Sequence, residues 1–148
     1  MLVQLDRRED RPFTATATDL PLGPAAATPP PVVAVLGRPG RVAGLPAHLP
    51  ANWTVRIARD LDDIRPDEIV LFGDAGVGVV HTARAVLPRR TRIVALLDPD
   101  APAELVAGVL TAGADACVRG GQAAILASHL VACRRRQFAE RWAAVVPV

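Results

Sequence analysis

The feature that most limits the fold of this chain is an alternation, from residue 31 onward, of short apolar runs with segments of helical periodicity. Several of these runs are apolar at consecutive positions, as strands buried on both faces are. Such alternation is typical of βαβ units and a parallel sheet. The sequence predicts five strands, at residues 32–36, 53–57, 68–72, 92–97 and 116–118, and five helices, at residues 41–49, 61–65, 78–87, 102–112 and 122–145.

The two ends of the chain differ from this central pattern. Residues 1–30 combine clustered charges with a Pro/Ala-rich stretch that cannot sustain a helix, and they predict a flexible arm. Residues 31–136 are expected to form one domain, which suits a chain of 148 residues. Residues 137–148 then extend the last helix beyond the domain, where they either fold back on it or pack on another chain.

One face of the last predicted helix is apolar. Spacings of three and four residues place six side chains near it, namely Leu126, Leu130, Cys133, Gln137, Phe138 and Trp142. Arg134, Arg135 and Glu140 are expected to face water. Arg134, Phe138 and Trp142 are the candidate interface residues, on the last helix and its extension.

Charge and hydropathy exclude several classes of function. The 17 basic residues are all arginine, and they are balanced by 15 acidic residues to a net charge of +2. The arginines are scattered, with one cluster at Arg134, Arg135 and Arg136, so nucleic-acid binding is not expected. The chain has no run of 18 apolar residues and no hydrophobic segment at its amino terminus. We therefore expect a soluble cytoplasmic protein without membrane association.

The sequence contains no recognisable metal or redox motif. Cys117 and Cys133 are too few and too far apart for a CxxC pair or a four-ligand zinc site. His48, His81 and His129 lie on three different predicted helices without acidic partners at ligand spacing. We expect no metal ion and no cofactor.

A few charged side chains follow the predicted strands at their carboxyl ends. Asp98 and Asp100 follow the fourth strand, at the edge where open α/β sheets bind ligands. Together with Asp74 and Arg119 they form the candidate rim of a small-molecule site. Helix capping and a solvated loop explain the two aspartates more simply, because Pro102 and a helix follow them.

Three segments, in chain order, resemble the receiver domains of NarL/FixJ-type response regulators. Residues 35–45 (VLGRPGRVAGL) resemble the V-D-D-H-P-L-V-R-E-G-L segment after the first strand. Residues 65–71 (RPDEIVL) resemble the R-P-D-V-V-L-L lead into the phosphoacceptor aspartate, and residues 113–118 (GADACV) resemble the G-A-x-G-F-L before the receiver lysine. The resemblance covers residues 31–135. It implies a flavodoxin-like, three-layer α/β/α fold with a doubly wound, five-stranded parallel sheet in the order 2-1-3-4-5.

The residues that carry out phosphotransfer in receivers are missing at the matching positions. A working receiver needs an acidic pair for Mg²⁺, an aspartate acceptor, a Thr or Ser, and a lysine. Here these positions hold Leu36 and Gly37, Phe72, Leu97, and Gly120. Leu36, Phe72 and Leu97 are expected to pack together where the phosphate would sit. A shifted alignment recruits Asp74 as acceptor and Arg119 as cation, but supplies no pair of oxygen ligands after the first strand.

The resemblance therefore implies a degenerate, phosphorylation-independent receiver. Such a pseudo-receiver is a regulatory module, not an enzyme, and it acts through protein contacts in signalling or transcriptional control. In this family the fourth helix, fifth strand and fifth helix form a common dimer or partner surface, so a protein partner or homodimer is expected through the last helix and its extension. The alternative is a metabolite-binding α/β domain that uses the altered pocket.

Overall fold

The sheet has five parallel strands. In a computed structural model, which describes residues 29–145, the strands are β1 (Val32–Leu36), β2 (Thr54–Ile57), β3 (Ile69–Phe72), β4 (Arg92–Leu97) and β5 (Ala116–Arg119). Their spatial order is β2-β1-β3-β4-β5, and every pairing is parallel. The predicted fold class and strand order 2-1-3-4-5 are confirmed. Apart from its last two residues, the predicted arm at 1–30 lies outside the described residues.

Three α-helices connect or follow the strands. They are α1 (Val77–Val86), α2 (Ala103–Ala112) and α3 (Ala123–Val145). Short 3-10 turns occur at Pro39–Val42, Leu45–His48 and Leu61–Asp63. Within the described part of the chain, no helix combines the length and the hydropathy that crossing a bilayer requires.

The helix predicted at residues 41–49 is wrong. The chain forms two 3-10 turns there, with Ala43 and Gly44 between them. Pro46 explains the difference, because in the middle of an α-helix its ring would clash with the preceding turn and remove a hydrogen bond. The short turn of helix predicted at 61–65 is a 3-10 turn at Leu61–Asp63, and it ends before Pro66, which disfavours helical geometry in the residue before it.

Two apolar clusters lie on opposite faces of the sheet and give the molecule three layers. Alternation along β3 sends Ile69 and Leu71 to one cluster and Val70 and Phe72 to the other. The first cluster is covered by α3 and the first two 3-10 turns, and the second by α1 and α2. The predicted α/β/α layering is therefore confirmed.

Helix α3 continues without a break across the predicted boundary between residues 136 and 137. Its last turns pass the edge of the sheet where the strands begin, here called the amino edge. Gln137 Nε2 donates to the carbonyl of Arg90 at 3.1 Å, and Arg141 pairs with Asp67 at 3.0 Å. The extension therefore contacts the domain itself.

The sequence-based assignment of the two faces of α3 needs correction at Arg134 and at Trp142. Arg134, expected to face water, is 8% exposed, and its Nη2 donates to the carbonyl of Pro29 at 3.1 Å. Its guanidinium also lies 5.2 Å from the ring centroid of Phe138, and burial lowers the pKa of Arg134. Trp142, expected on the apolar face, is 64% exposed. Arg134 and Trp142 differ from the expected pattern because this part of α3 extends past the apolar core and lies against the carbonyl groups of the loops.

Candidate functional site at the carboxyl edge of the sheet

The edge at which the strands end, the carboxyl edge, is closed by apolar side chains. Leu36, Phe72 and Leu97 are the last residues of β1, β3 and β4, and they are 8%, 5% and 3% exposed. All three belong to the same buried cluster as Val80 of α1. Hydrocarbon therefore fills this edge, as the sequence led us to expect.

The loops after β1 and β3 approach each other closely above these side chains. The amide of Gly73 donates to the carbonyl of Leu36 at 2.8 Å. A Cβ at Gly73 would lie 2.7 Å from the carbonyl oxygen of Arg38, and Gly37 has a φ of +93°. Glycine is needed at both positions, one for the close contact and one for the left-handed backbone.

A guanidinium group lies over the carboxyl ends of β3 and β4. Arg41 projects from the first 3-10 turn, and its Nη1 donates to the carbonyl of Gly73 at 3.0 Å. Its Nη2 donates to the carbonyl of Leu97 at 3.2 Å and pairs with Asp98 at 3.3 Å. The side chain of Arg41 is 19% exposed. Sequence reasoning missed this role, because it depends on the proximity of three segments that are distant in the chain.

The candidate rim residues do not converge on a common point. Asp74 pairs with Arg38 at 3.3 Å, and both side chains are more than half exposed. Asp98 is engaged by Arg41. Arg119 donates from Nη1 to the carbonyl of Ala101 at 3.1 Å.

The last two candidate positions at this edge add no converging side chain. Asp100 is exposed in the loop after β4. Gly120 has a φ of +95°, and its amide donates to the carbonyl of Leu97 at 3.0 Å. Leu97 O therefore accepts from both Gly120 and Arg41.

Solved structures with the same arrangement are signalling receivers. The chain is similar to the signal receiver domain of an HD domain-containing protein from Pseudomonas fluorescens Pf-5, with a TM-score of 0.63 and 18% identity over 78% of this chain and 95% of that one. It is also similar to NtrX from Brucella abortus, solved in complex with ADP, with a TM-score of 0.62 and 15% identity over 79% of this chain and 30% of that one.

A third similar structure is a response regulator from Thermotoga maritima, with a TM-score of 0.56 and 14% identity over 71% of this chain and 98% of that one. The fold is that of a receiver domain. The sequence itself matches no family model and no curated protein. Identities this low establish the receiver fold alone.

The residues at the carboxyl edge do not fit the Mg²⁺ ion that phosphotransfer in this fold requires. Mg²⁺ needs oxygen ligands in near-octahedral geometry. Leu36, Gly37 and Phe72 offer no side-chain oxygen, and the nearby Asp74 and Asp98 carboxylates are engaged by arginines. Among residues 29–145, no three His, Cys, Asp or Glu side chains form a group that could hold a metal ion.

The three candidate interface residues have different environments. Arg134 is buried, and Phe138 is half-buried beneath its guanidinium. Trp142 alone of the three is exposed, on the last turns of α3. Of this set, Trp142 is the one side chain that is available to a partner.

Proposed function

We propose that this chain is a pseudo-receiver of the NarL/FixJ kind, a regulatory module that works without phosphorylation. It acts through protein contacts in cytoplasmic signalling or transcriptional control. The observation that carries the proposal is the closed carboxyl edge, where Arg41 binds Gly73 O and Leu97 O above a buried apolar cluster.

The closed edge offers neither an acceptor carboxylate nor a set of ligands for a divalent ion, and aspartyl phosphotransfer needs both. An acyl phosphate needs an acceptor carboxylate, and the matching side chain is Phe72, which is 5% exposed. The incoming phosphoryl group needs a divalent ion to offset its charge. Arg41 does not replace that ion, because a guanidinium carries one positive charge where the ion carries two, and this one is already engaged by two carbonyls and Asp98. We assign the module no catalytic role.

The partner surface is proposed on the face that α2, β5 and α3 share. Exposed apolar side chains lie on these helices, with Leu110 43%, Ile125 47% and Trp142 64% exposed. An apolar patch that these side chains share would suit a protein contact. We propose that a protein partner or a second copy of the chain binds here, chiefly at α3. A metabolite site at the carboxyl edge is less well supported, because Arg41 and the apolar cluster occupy it.

Incubation with acetyl phosphate and Mg²⁺, followed by intact mass measurement, tests the loss of phosphotransfer. A phosphorylatable receiver treated in parallel is the positive control. The expected result is no mass increase on this chain. Addition of one phosphoryl group that is abolished by Asp74→Asn would overturn the proposal and identify Asp74 as the acceptor.

Light scattering of the full chain, alone and with candidate partners, tests the interaction surface. Trp142→Ala is expected to weaken whatever assembly forms, because it removes the exposed apolar ring on α3. Val86→Ala is the matched control, since Val86 is 56% exposed but lies on α1. Equal behaviour of the two variants in a stable assembly would place the interface elsewhere.

A further inference from the structure

An arginine-lined cavity lies at the amino edge, opposite the closed carboxyl edge. Its volume is about 890 Å³, within the range of small-molecule sites. Five arginines line it, namely Arg84, Arg89, Arg90, Arg92 and Arg141. They come from the end of α1, the loop before β4, the start of β4, and the last turns of α3.

The cavity has a surplus of positive charge. Three acidic residues also line it, Asp67, Asp115 and Glu140. Five arginines against three acids leave two positive charges without a counter-charge in the lining. A dianion would neutralise the cavity.

The acidic residues are shared among the arginines. Asp115 pairs with Arg92 at 2.9 Å and with Arg84 at 3.5 Å. Asp67 pairs with Arg141 at 3.0 Å and with Arg90 at 3.7 Å. Within residues 29–145, no ion pair engages Arg89. The surplus charge is therefore concentrated at Arg89 and Arg90, in the loop before β4.

Two arginines of the cavity lining have buried donor atoms without an acceptor among the described residues. The Nε atoms of Arg84 and Arg92 are inaccessible to solvent and find no hydrogen-bond partner among the described residues. Arg92 is 8% exposed, and its other contacts are with Asp115 and Glu140. Glu140 is 59% exposed on α3, so its carboxylate can leave the cavity without unfolding the helix.

We propose that this cavity binds a small soluble ligand that carries one or two phosphate groups. Guanidinium groups bind phosphate oxygens with paired, charge-assisted hydrogen bonds, and phosphate supplies the two negative charges that the lining lacks. A nucleic acid fits less well, because α3 forms one wall and the basic side chains surround a concave space. The site is separate from the carboxyl edge and does not depend on the proposed loss of phosphotransfer.

The cavity connects ligand binding to the partner surface. Gln137, Glu140 and Arg141 of α3 form one wall, and Trp142 follows directly in sequence. A ligand that bridges Arg141 to the arginines near β4 would hold the last turns of α3 against the sheet.

Isothermal titration calorimetry of the full chain with pyrophosphate, at constant ionic strength, tests the proposal. We expect saturable binding of one pyrophosphate per chain. The double variant R89Q/R90Q should bind about tenfold more weakly, because it removes the surplus charge. The matched control R59Q/R135Q removes two exposed arginines outside the cavity and should change the affinity less than about twofold.

The variant E140Q provides a test that misfolding cannot mimic. It removes an acid from the lining and frees Arg92, so it should bind pyrophosphate more tightly than the wild type. Absence of saturable binding, or equal weakening in the two double variants, would overturn the proposal. So would tight binding of a generic duplex oligonucleotide that R89Q/R90Q abolishes while pyrophosphate shows none, because the surface would then recognise nucleic acid.

Discussion

The two edges of the sheet contain arginine in opposite settings. At the carboxyl edge, Arg41 is engaged by two carbonyls and Asp98 and lies above buried hydrocarbon. At the amino edge, five arginines and three acids line an open cavity, and Arg92 has a buried Nε without an acceptor among the described residues. In this receiver fold, apolar side chains and Arg41 close the carboxyl edge, where receivers carry out phosphotransfer. Positive charge is concentrated at the amino edge instead.

Burial does not neutralise Arg92 at the amino edge. Burial alone would lower the pKa of Arg92, but hydrogen bonds to Glu140 and Asp115 outweigh it and raise the pKa. The guanidinium of Arg92 therefore keeps its positive charge near neutral pH. An anion that enters the cavity meets fixed positive charge.

The largest expected effect concerns the apolar packing of the carboxyl edge. Phe72→Ala should lower the free energy of unfolding by about 4 kcal/mol, because it removes a buried ring and leaves a cavity. Urea denaturation measures this, and the loss should be the same at low and high salt. Val86→Ala, at a side chain that is 56% exposed, is the control and should cost less than about 1 kcal/mol. A similar small loss for Phe72→Ala would contradict a closed carboxyl edge.

The next effect concerns an ion pair on the amino side of the sheet, at the residue before β3. Arg56 donates from Nε to Glu68 Oε2 at 2.8 Å and from Nη2 to Oε1 at 2.6 Å, and the Glu68 side chain is 5% exposed. Glu68→Gln should lower the free energy of unfolding by about 3 kcal/mol, because it leaves Arg56 with Asp63 as its remaining acidic partner. Asp62→Asn, in the nearby exposed turn, is the control. Equal stability of the two variants would show that the ion pair between Arg56 and Glu68 does not stabilise the fold.

The same ion pair predicts how stability depends on pH. Burial raises the pKa of Glu68, but hydrogen bonds from Arg56 and from the amide of Arg65 outweigh it, so the net pKa is lowered. Its stabilising contribution is therefore complete above the unfolded-state pKa of about 4.3 and is lost as the pH falls through the lower folded-state value. Urea midpoints measured across this range should fall less steeply for Glu68→Gln than for the wild type. Parallel curves would exclude Glu68 as a source of acid sensitivity.

A smaller effect on stability is expected from two arginines at the carboxyl edge, the largely buried Arg41 and the exposed Arg38. Arg41→Met should lower the free energy of unfolding by about 2 kcal/mol, since Gly73 O and Asp98 lose a donor and Leu97 O keeps only the amide of Gly120. Arg38→Met should cost less than about 0.5 kcal/mol, because its pair with Asp74 is solvated. Thermal or urea unfolding of both variants measures the difference. The reverse order would show that Arg41 does not hold this edge together.

Much of the fold could be predicted from the sequence because strand burial leaves a local signal. The apolar run at 92–97 stands out, since β4 is buried on both faces and all six residues are buried. The error at 41–49 arose because apolar spacing favoured a helix where Pro46 does not permit one. The faces of α3 were misassigned at Arg134, because periodicity does not reveal where a helix leaves the core.

The sites were harder to predict than the fold. The apolar residues Leu36, Phe72 and Leu97 were visible in the sequence, because each lies at the end of a predicted strand. The role of Arg41 was not visible, since its partners lie 32 and 56 positions further along the chain. The arginines at 89, 90 and 92 were a local signal for the amino edge, but Arg141 joins them only through the path of α3.

NMR titration of the labelled full chain with Mg²⁺ and beryllofluoride, a mimic of the acyl phosphate, tests most directly whether the carboxyl edge is closed. The amide signals of Gly73, Asp74 and Asp98 report on that edge. We predict that they do not shift. Saturable, Mg²⁺-dependent shifts of these three amides would contradict the account, because they would show a phosphoryl site where we find Arg41 above packed hydrocarbon.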